Sequence, residues 1–233
     1  MSDLQEIIRQ NVADVQGRIA DAAREAGRSP ESVRLVAVTK YVDAEQTRAV
    51  IRAGCQLLGE SRPQHLVPKA EKLADEPVHW HMIGQLQRNK IRRVLPVIAM
   101  LESIDSLRLL DAVNRISGEL DQTTNGLLEI NISGDATKSG FLPEDMDQVI
   151  EQLDAYPHVE IRGLMGMASL TGGPAVARRN FATLREFRDH LTAAWSGRVS
   201  LTELSMGMSG DFEQAIHEGA TLVRIGSALF EGT

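Results

Sequence analysis

A single cysteine, Cys55, leaves the chain without an intramolecular disulfide or a cysteine-rich metal site. Its apolar neighbours in CQLLG (55–59) mark it as a thiol packed in the core. No stretch reaches the ~20 consecutive apolar residues that a membrane span needs, and the opening MSDLQEIIRQNVADV carries acids where a secretory leader needs an apolar centre. A soluble, cytoplasmic protein is expected. Positive charge is also short, with 25 Lys and Arg against 32 Asp and Glu and a formal charge of −7, a balance that disfavours nucleic acid and anionic membranes. The basic run QRNKIRRV (87–94) fits the solvated side of a helix whose inner face carries Ile91 and Val94. Finally, no GxGxxG turn follows the first apolar run, which argues against a doubly wound sheet built to hold a dinucleotide.

What the sequence does have is a repeating alternation. Leu4, Ile7, Ile8, Val12, Val15, Ile19, Ala22, Ala23 and Ala26 recur at helical spacing, with Ser2 or Asp3 placed to cap and Gly27 to stop the helix. Eight short apolar runs then follow, at 33–39, 55–59, 78–84, 97–103, 127–133, 159–165, 201–207 and 221–227. Helix-like segments separate them, the later ones at 106–120, 143–155, 174–195 and 211–218. Near-continuous apolar strands joined by helices indicate a parallel sheet whose outer face is covered, and eight such units indicate closure into a (β/α)₈ barrel. One domain over 1–233 is expected, with 1–27 as an N-terminal helix packed on the barrel.

In such a barrel the chemistry sits at the C-terminal ends of the strands. Lys40 ends the run LVAVTK, just before Asp43, which is placed to cap the next helix. By position alone this lysine reads equally as an amine at a barrel mouth, placed to condense with an aldehyde, or as a solvated loop lysine. After the seventh run, Gly207, Ser209 and Gly210 form a small polar turn before a helix, and after the eighth, Gly226 and Ser227 do the same. Paired helix N-termini at these two positions make the usual barrel phosphate site. Arg224 shares the inward face with Gly226 and needs an acceptor, either Glu129 or Glu203 within the barrel or a ligand. His79 and His81 share a face, but no third ligand lies near them in sequence, so no metal is expected. Met165, Met167, Met206 and Met208 read as packing, in part against a ligand ring.

In order along the chain, VAVTK, GES, WHMIGQLQRNK, INISGDATKSGF, IRGLMGMA, LSMGMSGDFEQAI and VRIGSALF resemble the motifs of the pyridoxal 5′-phosphate (PLP) homeostasis proteins, over about 4–231. The resemblance implies the barrel of alanine racemase, a fold type III PLP barrel, without that enzyme's second β domain. It implies PLP as cofactor, a Schiff base on Lys40, phosphate contacts from Ser209, Gly226 and Ser227, and Arg224 facing the pyridine nitrogen. Ser61 and His81 complete the expected cofactor contacts. An arginine there keeps the nitrogen unprotonated and the ring a poor electron sink, and neither tyrosine, Tyr41 or Tyr156, is evidently placed as a second base. The implied role is buffering and delivery of PLP without turnover, by a monomer that transiently meets PLP-dependent apoenzymes. A racemase-like enzyme is the alternative, and a cofactor-free Schiff-base aldolase a weaker one. Where the family commonly has GENYVQE this chain has GESRPQHL, with Ser61 in place of asparagine and His65 in place of glutamate. Lys138 reads as a second amine near the mouth or as a solvated loop lysine.

Overall fold

The computed structural model describes residues 3–135, 139–169, 171–195 and 200–233. Ser2 and Lys138 lie outside the described residues. The opening periodicity forms α1 (Asp3–Glu25), which buries Ile8, Val12, Val15, Ile19, Ala22 and Ala23 along one stripe. Its end is a Schellman turn: Arg28 N–H donates to the Ala23 carbonyl and Gly27 N–H to that of Arg24, with Gly27 at φ 67°. Only glycine adopts that conformation without strain. α1 packs across α2 (Ala44–Arg52) and α8 (Phe212–His217) on the outside of the molecule.

Eight parallel strands close into a barrel in chain order. They are β1 (Arg34–Val38), β2 (Leu57–Glu60), β3 (His79–Met82), β4 (Met100–Ile104), β5 (Thr124–Ile130), β6 (Val159–Gly166), β7 (Glu203–Ser205) and β8 (Leu222–Ile225). β8 returns to β1 in register from Arg34 against Leu222 to Ala37 against Ile225. The remaining helices are α3 (Pro63–Lys72), α4 (Ile91–Val94), α5 (Leu107–Glu119), α6 (Met146–Gln152) and α7 (Gly173–Ala194). The segment 143–155, expected as one helix, is α6 flanked by two 3₁₀ turns, Pro143–Asp145 and Leu153–Ala155.

Alternation along the strands builds two cores. Outward residues such as Ala37, Leu58, Leu101, Leu128, Leu164 and Val223 meet the helices. Inward residues Val36, Leu127, Met165 and Leu222 form a separate small cluster that fills the barrel's axis, as side-chain layers do in this fold. Cys55 is buried, and burial pushes its thiol up to about 12. That is a structural thiol, inert at neutral pH. No described helix is long and apolar enough to cross a membrane.

Candidate functional site

Beside and above the apolar cluster, inward positions of four strands are polar. His81 (β3), Glu102 (β4), Ser205 (β7) and Arg224 (β8) are all buried, and each supplies a partner for the next. Arg224 donates from one guanidinium nitrogen to Ser205 Oγ at 2.6 Å and from the other to the Gly166 carbonyl at 3.0 Å. Ser205 Oγ donates in turn to Glu102 Oε2 at 2.5 Å, and Glu102 Oε1 lies 2.6 Å from His81 Nδ1. Arg224 and Glu102 are 3.9 Å apart.

Burial alone would raise the Glu102 carboxyl. The bond with His81, the charges of His81 and Arg224 and the Ser205 hydroxyl outweigh it and hold Glu102 below the usual carboxylate range. The guanidinium of Arg224 is lowered by burial, opposed by Glu102, Glu129 and Asp211, and it stays charged as any arginine does. The acceptors expected for Arg224 were Glu129 or Glu203, and the structure corrects this. Glu203 sits at the other end of its strand and pairs with Arg34 at 2.5 Å. Glu129 accepts from Ser139 Oγ at 2.9 Å, with its carboxyl pushed up by burial. The ion-pair partner is Glu102, which no local pattern selected.

Above this layer opens a cavity of about 550 Å³ at the C-terminal ends of the strands, with Lys40, Ser61, Ser209, Arg224, Gly226 and Ser227 on its wall. Six of the seven expected site residues are thus brought together. His81 is not on the wall; it lies beneath, engaged with Glu102. Met167 and Met208 line the cavity, whereas Met165 fills the axis and Met206 joins the outer core. Lys40 follows β1, half-buried, with its Nζ 5.0 Å from the centre of the Tyr41 ring. α2 begins just beyond it behind a capping box in which Asp43 accepts from Gln46 N–H at 2.9 Å.

The turns after β7 and β8 have the shape an anion requires. Gly207 bends the chain at φ 92°, and a Cβ there would come within 2.9 Å of Phe212 Cα. Asp211 accepts from Met208 N–H at 2.6 Å and fixes the loop, while burial raises its carboxyl. Gly226 N–H reaches Ser209 Oγ at 3.4 Å, tying the two turns together. A Cβ on Gly226 would press to 3.2 Å from the Val38 carbonyl, whereas one on Gly210 would meet nothing within 4 Å. Two small-residue turns with their serines, Ser209 and Ser227, a charged guanidinium and an amine therefore line one cavity. That donor set fits a phosphorylated pyridine aldehyde.

The family model described as alanine racemase, N-terminal domain, matches residues 10–233. The pyridoxal phosphate homeostasis protein of Pseudomonas aeruginosa is 40% identical, the match covering 96% of this chain and 94% of that one. That of Aquifex aeolicus is 36% identical over 95% and 96%. The chain belongs to the pyridoxal phosphate homeostasis proteins. Among solved structures, an unknown protein from Bifidobacterium adolescentis aligns with a TM-score of 0.93 at 39% identity, covering 99% of this chain and 97% of that one. PipY of Synechococcus elongatus, solved with PLP bound, aligns at 0.84 with 34% identity over 96% and 99%. An alanine racemase from Clostridium difficile aligns at 0.71 with 15% identity, spanning 96% of this chain and 55% of that one, a likeness of fold alone. Within the homeostasis family, the serine of this chain's GES motif, Ser61, lies against Gly84, where a Cβ would meet the Ser61 carbonyl at 2.4 Å. The β2 and β3 loops touch at that point and close one side of the mouth.

Proposed function

We propose that this protein holds PLP at the barrel mouth and serves in its homeostasis, buffering the cofactor in the cytoplasm and releasing it to PLP-dependent apoenzymes without turnover. The observation that carries the reading is the convergence of Lys40, the tied turns of Ser209 and Gly226-Ser227, and Arg224 on a single cavity. When bound, PLP would supply an aldehyde able to condense reversibly with an amine, and Lys40 is the amine on the cavity wall that would hold it. Backbone N–H groups and hydroxyls of Ser209, Gly226 and Ser227 receive the phosphate. Arg224 would face the ring nitrogen and, as a permanent cation, would disfavour its protonation, so carbanions at a bound amino acid would gain little stabilisation. Glu102 and Ser205 hold the guanidinium in place, and His81 contributes through Glu102. Ser61 closes the rim beside Lys40.

Two further features support a role without turnover. Tyr41 stands 86% exposed at the rim. Tyr156 precedes β6, at the opposite end of the barrel from the mouth, buried. Tyr41 lines the cavity from the same loop as Lys40, its ring beside that amine, and Tyr156 does not line it, so no tyrosine comes from the loops opposite Lys40 as a second proton-transfer group for racemisation.

The test is to add PLP to the purified protein and record the visible absorption of the conjugated imine, then trap it with borohydride and map the labelled peptide. Wild type is expected to colour and to carry the label on Lys40, and Lys40→Ala to do neither. A protein that stays colourless would favour a cofactor-free aldolase and overturn the reading. Incubating the coloured protein with L-amino acids in deuterium oxide should leave Cα unlabelled; steady exchange would establish a racemase-like enzyme instead.

A further inference from the structure

The chain has five lysines, and Lys40, Lys69, Lys72 and Lys90 all line hollows on one flank of the molecule. Lys40 is shared by the mouth cavity and a second hollow of about 530 Å³, which also has Lys69, Lys72, His65 and Asp43 on its wall. That hollow shares Gln64 and Pro68 with a third, of about 400 Å³, cut between α3 and the α4 region. The walls of the third are Gln64 and Pro68 of α3 facing Gln87, Lys90 and Arg93, over Pro63 and Val67.

The charges in this flank are not matched. Lys69 is buried and committed, paired with Glu60 and donating to the Thr39 carbonyl at 2.7 Å. Asp43, the carboxylate on the second hollow, caps α2. Lys72, Lys90 and Arg93 enter none of the ion pairs among the described residues, although most of the arginines elsewhere on the surface are paired with acids. No carboxylate lines the third hollow. In a chain of net charge −7, uncompensated cations held together around a concave surface mark a place that gains by receiving an anion.

The geometry points to a second binding site in the groove between α3 and α4, taking a small organic phosphate noncovalently, distinct from the mouth. Lys90 and Arg93 supply two charges to the phosphate, the amides of Gln64 and Gln87 supply neutral donors, and Pro63, Val67 and Pro68 give an apolar face for the organic part. The volume is that of a metabolite pocket rather than a protein footprint. An extended acidic protein face would need a broader, flatter surface. The continuity of the three hollows through Lys40, Gln64 and Pro68 makes the groove a staging point beside the mouth.

The experiment uses protein whose mouth has been filled with PLP and reduced with borohydride, titrated calorimetrically with inorganic phosphate, with pyridoxine 5′-phosphate, whose alcohol cannot condense with an amine, and with ADP. One further equivalent of a phosphate ester is expected to bind, and K90E/R93E is expected to weaken it by more than about tenfold, since two charge-assisted hydrogen bonds are replaced by repulsion. R108E, an exposed change on α5, should bind as wild type does. Preference for pyridoxine 5′-phosphate identifies the cofactor as the source, and preference for ADP another phosphorylated metabolite; inorganic phosphate binding as well as either shows recognition of the phosphate alone. Absence of any further equivalent, or equal affinity in K90E/R93E, overturns the proposal. Should no imine form at Lys40, the reading of the mouth fails separately, and the groove is titrated on the protein as purified.

Discussion

At the scale of single residues, Glu102 is the one whose removal has the widest reach. It is fully buried and faces the only strong positive charge within the described barrel interior, Arg224. Glu102→Gln keeps the shape and loses the charge, leaving Arg224 buried without its counter-ion, a change that costs about 3–5 kcal/mol. Unfolding free energies at neutral pH should show that drop. The sign of the pH dependence follows from the direction of the shift. Glu102 is held below its ordinary value of 4.5 in the folded protein, so its contribution is complete above that value and is lost as the pH falls through the folded one. Wild type should therefore shed more stability in acid than Glu102→Gln, which keeps the other carboxylates and lacks only this one, so the gap between the two curves should narrow. A gap that stays constant from neutral pH into acid would mean that the carboxylate is not what balances Arg224.

The same residue shows what a linear reading reaches and what it does not. Lys40, Ser209 and Gly226-Ser227 were legible because the cues are local: a polar residue at the end of an apolar run, and small residues before a helix. Period-two alternation also put Arg224 inside correctly. Its partner was not legible, because Glu102, Glu129 and Glu203 all fall inside by parity, and the choice depends on strand stagger around the barrel. The same stagger sinks His81 one layer below the mouth.

At the scale of elements, the turn after β7 carries the sharpest constraint. Gly207→Ala would place a methyl against Phe212 and Ala215 in a left-handed backbone conformation, a strain of roughly 1–3 kcal/mol. The turn should open, with PLP affinity falling about tenfold or more for ~1.4 kcal/mol of lost contact while helix content by circular dichroism is unchanged. Undiminished affinity would detach the phosphate role from this turn. The apolar layer beneath makes a contrasting case. Leu127→Ala removes a fully buried side chain from the small inner cluster, and a cost of about 2–5 kcal/mol in unfolding free energy is expected because the surrounding strands cannot collapse inward. Element positions were legible where periodicity was long, as in α1 and α7. The 143–155 segment broke into three pieces because Pro143 starts a tight turn and the α-helical part is short.

For the whole molecule, charge and topology act together. The net charge of −7 repels an anionic cofactor at long range, yet the flank around Lys40, Lys72, Lys90 and Arg93 presents the opposite sign next to the mouth. Capture of PLP should therefore slow as salt is added, since the Debye length shrinks from ~30 Å at 0.01 M to ~8 Å at 0.15 M. Stopped-flow mixing at low PLP concentration measures the rate, and a capture rate that rises with salt would show that the acidic remainder dominates the approach. The barrel itself was readable from eight apolar runs and their spacing, since parallel strands covered by helices leave few ways to close a sheet.

Val36, Leu127, Met165 and Leu222 plug the barrel's axis, and that packing turns the protein into a vessel with one door. Whatever occupies the mouth leaves by the route through which it came, so a departing ligand and an arriving amine compete for the same opening. Under the proposed role, handover would depend on traffic at the rim: a recipient whose own lysine is recessed in a cleft could not reach in, and would receive only what has already been let go.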